Sequence, residues 1–219
     1  MKRSDLAVFE TIPYFTIAAV RQMAGDDLPG SERRARTRLW RWMQNGLVIQ
    51  LKKGVYMTRR FYERHGAEPG FAAACSAILL PQSYLSLEYV LQRHALLTET
   101  TYPVTAVTLH NTRLIQNDLG VFSYRHVQPR LYYGFNPGDY HGLRYAEATP
   151  AKALFDYLYL RPLPRPLRTR QYALAEELRL NLERLDDSGR AEFAAHVRRA
   201  ASPKMTTILD NLEHSIWQP

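Results

Sequence analysis

A chain of 219 residues that is 46% hydrophobic and 23% charged can bury a core, which excludes wholesale disorder. Its net charge of +8 is unevenly placed: residues 1–60 hold twelve Lys or Arg against five Asp or Glu, and residues 61–219 hold seventeen against sixteen. The single cysteine, Cys75, excludes an internal disulfide and a cysteine-based zinc site, and is expected to pack as a small buried hydrophobe.

Beyond Ser4 and Asp5 charge alternates with apolar positions, so no secretory segment is expected. The most apolar run, 71–80, has about half the length of a membrane-spanning helix. The expectation is a cytoplasmic protein with no membrane partner. Leu6, Phe9 and Ile12, with Val8, recur at helical spacing and predict a first helix, which Pro13 ends. Thr16 suits the cap of a second helix over 17–24, with Ala18, Ala19 and Met23 available for burial and Gly25 closing it. Residues 26–30 carry turn chemistry. Ser31 as cap and Glu32 in the first turn open a third helix over 32–44. Ala35, Leu39 and Met43 form its inward stripe with Trp42 beside them, and Asn45 and Gly46 stop it.

The opposite face of that helix carries Arg34, Thr37, Arg38 and Arg41, with Arg33 at its N-terminal end. Two short apolar strands, 47–51 and 55–57, flank Lys52, Lys53 and Gly54 and predict a β-hairpin with a basic tip. Three helices followed by such a hairpin is the pattern of a winged helix-turn-helix, expected over 1–62. Its third helix would enter the major groove of double-stranded DNA. Ser31, Arg33, Arg34 and Thr37 are then expected at or near base edges, and Arg38, Arg41, Lys52 and Lys53 on phosphates. A solvated helix held by ion pairs would alternate its charges. Five arginines with one acid at the helix start instead repel one another unless a polyanion lies nearby. Because winged helices also dock proteins, a protein-interaction module is an alternative. Trp40 is expected to pack against the hairpin or the second domain.

The polar stretch 63–70, broken by Gly and Pro, marks a boundary to a second domain over 63–219. A helix over 71–80 ends at Pro81, and Ser86 caps another that runs to about His94, with Leu87, Val90 and Leu91 inward. Strands are predicted at 104–109, 113–116 and 121–127, the last with Phe122 and Tyr124 alternating against Val121 and Ser123. Further strands are expected at 131–133 and 143–148. Thr149 and Pro150 open a helix whose Ala151, Leu154, Phe155 and Leu158 dock on the sheet. Residues 161–166 run extended, and three helices follow, broken at 186–189 and 202–203. The fold class expected is α+β: an N-terminal winged helix-turn-helix and a larger C-terminal domain with a mainly antiparallel sheet flanked by helices.

Three stretches carry a resemblance to a known family. Arg38 and Leu39 through Asn45, Gly46, Leu47 and Val48 to Lys53, Gly54, Val55 and Tyr56 form the first. Pro81, Gln82, Ser83, Tyr84, Leu85, Ser86, Leu87 and Glu88, with Leu91 and His94, form the second. Ala148, Thr149, Pro150, Ala151, Lys152, Ala153, Leu154, Phe155 and Asp156 form the third. In this order they resemble the AbiEi family of transcriptional-regulator antitoxins of abortive-infection type IV toxin–antitoxin pairs. One departure is Ala95 before Leu96, where the family pattern has glycine. The resemblance implies a repressor that binds inverted repeats at its own promoter. It also implies an antitoxin opposing a linked nucleotidyltransferase-like toxin without a stable complex; a regulator with no toxin is the alternative. It singles out Tyr84, Ser86, His94, Lys152 and Asp156 without assigning them a role.

The seven histidines are dispersed, none forming an i, i+4 ligand pair with a helper carboxylate, so no metal site and no cofactor are expected. Ser86 near His94 imitates a nucleophile with its base, but a helix cap and a satisfied buried histidine are the simpler readings. Glu147, Lys152 and Asp156 suggest metal-dependent nuclease chemistry as the alternative function. Lys152 and Asp156, four apart on one helix, make an ion pair the simpler account, and no enzyme is expected.

Overall fold

The computed structural model describes residues 4–23, 30–98, 103–162 and 172–217. A short helix α1 (Ser4–Ala7) leads to β1 (Phe15–Thr16), α2 (Ile17–Met23) and α3 (Ser31–Gln44). Thr16 caps α2 as expected, its Oγ1 accepting from the Ala19 amide at 3.3 Å. At α3 the cap position belongs to Gly30, in the left-handed region at φ 77°, which moves Ser31 into the first turn. Helical structure ends after Ala7, so the spacing from Leu6 to Ile12 is lost: Val8 and Ile12 face solvent, while Leu6 and Phe9 are buried. In α2 the buried residue is Val20; Ala18 and Met23 are exposed. Ala35, Leu39 and Trp42 of α3 face inward against Phe9, Phe15 and Val20. The expected stop at Gly25 and most of the turn at 26–30 lie outside the described residues.

β2 (Val48–Lys52) and β3 (Val55–Thr58) form the expected antiparallel hairpin, with Lys52 opposite Val55 and Lys53 and Gly54 at the tip. β1, not foreseen, joins β3 to give a three-stranded sheet. Thr58 then starts a helix that composition had hidden, α4 (Arg59–His65), by accepting from the Phe61 amide at 3.1 Å.

The rest of the chain adds α5 (Phe71–Leu79), β4 (Ser83–Leu85), α6 (Leu87–Arg93), β5 (Val104–Thr108), β6 (Arg113–Asn117), β7 (Gly120–His126), β8 (Phe135–Tyr140), β9 (Leu143–Ala148), α7 (Pro150–Leu160), α8 (Leu174–Glu177), α9 (Asp187–Ala200) and α10 (Pro203–Ser215). The fold is mixed α and β. Its larger sheet has the order β6-β7-β5-β4-β9-β8. The sheet is mixed: three of its five pairings are antiparallel, while β5 runs parallel to β7 and β4 parallel to β9. β4 and β8 were not foreseen as strands. β4 is only three residues long, and β8 contains Pro137 and Gly138, tolerated because β8 is an edge. The strand expected at 131–133 is replaced by a 3-10 turn, Pro129–Leu131, which opens on a proline.

Consecutive residues of β5 serve opposite faces of the sheet: Val107 packs with α6, α7, α9 and α10, and Ala106 with α5 and the hairpin. The second of these cores crosses the expected boundary at 62–63, since Ile49, Leu51, Met57 and Phe61 share it with Phe71, Ile78, Phe122 and Tyr140. Thr149 and Pro150 start α7 as expected, the threonine Oγ1 accepting from the Lys152 amide at 3.1 Å. The break expected at 186–189 is a helix start: Asp186 accepts from the Gly189 amide at 2.7 Å. Arg161, at φ −85° and ψ 138°, is extended as expected; 163–171 lie outside the described residues. Among the described residues no helix is long and apolar enough to cross a membrane.

Candidate nucleic-acid interface and buried ionic cluster

The outward face of α3 follows from its inward stripe. With Ala35, Leu39 and Trp42 buried, helical spacing turns Arg33, Arg34, Thr37 and Arg41 to solvent, and all four are exposed. Arg33 and Arg41 form no ion pair with any described residue. Arg36 pairs with Glu32 of its own helix at 2.6 Å, and Arg38, half-buried, reaches Asp5 of α1 at 3.6 Å. Both of these acids belong to the N-terminal segment. Thr37 donates its hydroxyl to the Arg33 carbonyl at 2.9 Å and keeps acceptor capacity outward. Ser31, expected at a base edge, is buried by the shift that Gly30 imposes.

Trp40 corrects another expectation. It is 58% exposed, among the exposed arginines of α3. Its position was legible, since 40 falls outside the 35, 39, 42 spacing; size alone suggested burial.

The two hairpin lysines separate. Lys53 is exposed at the tip. Lys52 is drawn back onto the C-terminal end of α5, where its Nζ donates to the Leu79 carbonyl at 3.1 Å, and partial burial lowers its pKa. A second tie holds the same strand: Asn117 of β6 donates to the Leu51 carbonyl at 3.0 Å. Lys52 therefore ties the hairpin to α5, and Lys53 is the lysine of the pair that is exposed.

Four of the five other singled-out residues meet. The Asp156 carboxylate, fully buried on α7, accepts from Tyr84 at 2.9 Å and from Ser86 at 2.8 Å, both on Oδ2, while Lys152 occupies Oδ1. Lys152, also fully buried, lies over the rings of Tyr84, Tyr133 and Phe155 at 5.5, 5.1 and 5.0 Å. Gly134 makes this approach feasible, since a Cβ there would lie 2.9 Å from Lys152 Cγ. Burial raises the Asp156 pKa and lowers that of Lys152, and each partner's charge opposes the shift of the other. Burial and the neighbouring carboxylate also raise the Tyr84 hydroxyl, keeping it a donor.

Ser86 stands at the start of α6 as expected, yet its hydroxyl bonds Asp156 and caps nothing. His94, expected buried, is exposed at the end of α6, away from this cluster. Glu147 is engaged by Arg93 at 2.6 Å. Beside Ser86, Leu87 is buried at φ 61° and lines a cleft of about 410 Å³ with Thr105, Arg125, Tyr157 and Arg161. Cys75 is buried as expected, its thiol pushed up to about 12 by desolvation. No protein-family model matches the sequence, and no curated protein matches it.

Proposed function

We propose that the chain is a sequence-specific DNA-binding regulator whose first sixty residues act as a winged helix-turn-helix, with α3 in the major groove and the β2–β3 tip on the backbone. The observation that carries this reading is the exposed row Arg33, Arg34, Thr37 and Arg41 on one face of α3. It lies in the part of the chain that holds nearly all the excess positive charge. Arg33, Arg34 and Thr37 lie at the N-terminal half of the helix, the end that reaches base edges in such docking; Arg38, Arg41 and Lys53 meet phosphates.

Neutralising the phosphates met by Arg38, Arg41 and Lys53 gives a slope of roughly −3 for log affinity against log salt. The test is fluorescence anisotropy with duplexes from the promoter of its own operon, comparing the parent chain with Arg33→Glu/Arg41→Glu. The expected result is a loss of at least about 100-fold with unchanged circular dichroism. Equal binding by the double variant, or a slope near zero, overturns the reading and favours a protein-docking module instead.

The antitoxin role is proposed on the resemblance of the stretches 81–94 and 148–156. It is supported by their convergence, since Tyr84 and Ser86 of the first bond Asp156 of the second. Rescue from a co-expressed nucleotidyltransferase encoded beside it is the outcome expected; growth arrest in its presence counts against the role. A nuclease reading draws no support from Lys152 and Asp156, which expose no surface to a substrate.

A further inference from the structure

Two imidazoles, one near in the chain and one distant, converge on a single carboxylate. His65 ends α4, Glu68 follows three residues later, and His141 sits at the tip of the β8–β9 hairpin. His65 Nδ1 lies 2.8 Å from Glu68 Oε1 and His141 Nε2 lies 3.4 Å from Oε2, with one ligand atom from each residue mutually within 4.8 Å. A tetrahedral zinc ion with bonds of about 2.0–2.1 Å holds its ligand atoms about 3.3 Å apart, inside this range.

The surroundings fix these groups. Both imidazoles lean on Phe61, with ring centroids 4.3 and 6.2 Å away, and on each other at 4.9 Å. Tyr140 donates to Glu68 Oε2 at 2.8 Å, the kind of outer hydrogen bond that orients a ligating carboxylate. Gly70 packs closely under the Tyr140 ring, where a Cβ would lie 3.2 Å from it. The turn itself is informative. His141 and Gly142 both have positive φ, 50° and 78°, between the paired Tyr140 and Leu143. That two-residue pattern favours Asn, Asp or Gly in the first position, and histidine is among the other residues that adopt it.

We propose that His65, Glu68 and His141 form a site for one divalent transition-metal ion of the zinc class, with a coordination position left to solvent. Two imidazoles and a carboxylate suit zinc, copper or nickel, and not the hard cations that take oxygen alone. The ion bridges α4 to the edge hairpin of the larger sheet, so its binding stabilises the folded chain.

The test uses the full, tag-free chain after chelator treatment. Titration with Co²⁺ is expected to give a visible d–d band saturating at one equivalent and displaced by Zn²⁺. The thermal midpoint is expected to rise with Zn²⁺ but not with Mg²⁺. His65→Ala and His141→Asn, the second a residue favoured in this turn, should weaken binding by at least about 100-fold. Their metal-free melting should stay close to that of the parent. Tyr140→Phe should weaken it by about 10-fold, and the exposed control His94→Ala should leave it unchanged. Absence of the band, or a band that survives His141→Asn, overturns the site.

Discussion

Asp156 and Lys152 show how burial changes the meaning of an i, i+4 pair. On a solvated helix such a pair contributes about 0.5 kcal/mol or less. With both groups fully buried, removing one partner strands the other charge, which costs about 3–5 kcal/mol. Lys152→Met and Asp156→Asn are each expected to destabilise by that amount in urea unfolding, and the double variant Lys152→Met/Asp156→Leu by less than their sum. The spacing was legible in the sequence; the burial was not, because it depends on β4 bringing Tyr84 and Ser86 to α7. Ala95 makes a second case at this scale. It adopts φ 55° just beyond α6, where the Leu96 amide bonds the Leu91 carbonyl at 2.8 Å. The left-handed conformation costs a residue with a Cβ about 1–2 kcal/mol. Ala95→Gly is therefore expected to raise stability by about 1 kcal/mol, read from the same unfolding curves.

At the scale of elements, α3 and the hairpin followed from periodicity and turn residues, and their division of labour did not. Lys52 and Lys53 are equivalent in sequence, yet Lys53 is exposed and Lys52 half-buried. Lys53→Ala is expected to reduce the salt slope of DNA binding by about one with little effect on stability. Lys52→Ala should leave the slope unchanged and lower stability through the lost bond to Leu79. The opposite assignment of these two effects would reject the proposed orientation of the hairpin. Helix α4 escaped notice because its Thr58 cap sits at the end of a strand, and His65 and Glu68 then read as polar linker. Their i, i+3 spacing was the available signal, but the third member, His141, lies on a turn 73 residues beyond Glu68.

The whole molecule is expected to unfold as one unit. Ile49, Leu51, Met57 and Phe61 bury against Phe71, Ile78, Phe122 and Tyr140, and leaving them exposed costs roughly 1.5–3 kcal/mol for each large side chain. Calorimetry of the full chain should therefore show a single transition with equal van't Hoff and calorimetric enthalpies, and the fragment 1–62 should lack a cooperative one. Two well-separated transitions would show that the hairpin core is not shared. The sequence by itself determined the basic helix and its outward arginines, the hairpin, the start of α7 and most helices after it, because each depends on periodicity or a cap within a few residues. The tertiary structure alone decided which lysine is the more exposed, the parallel pairings of β5 with β7 and β4 with β9, the burial of Asp156, and the meeting of His65 with His141. Each of these depends on strand order, and strand order is set by long-range packing on two faces of one sheet, which no local pattern encodes.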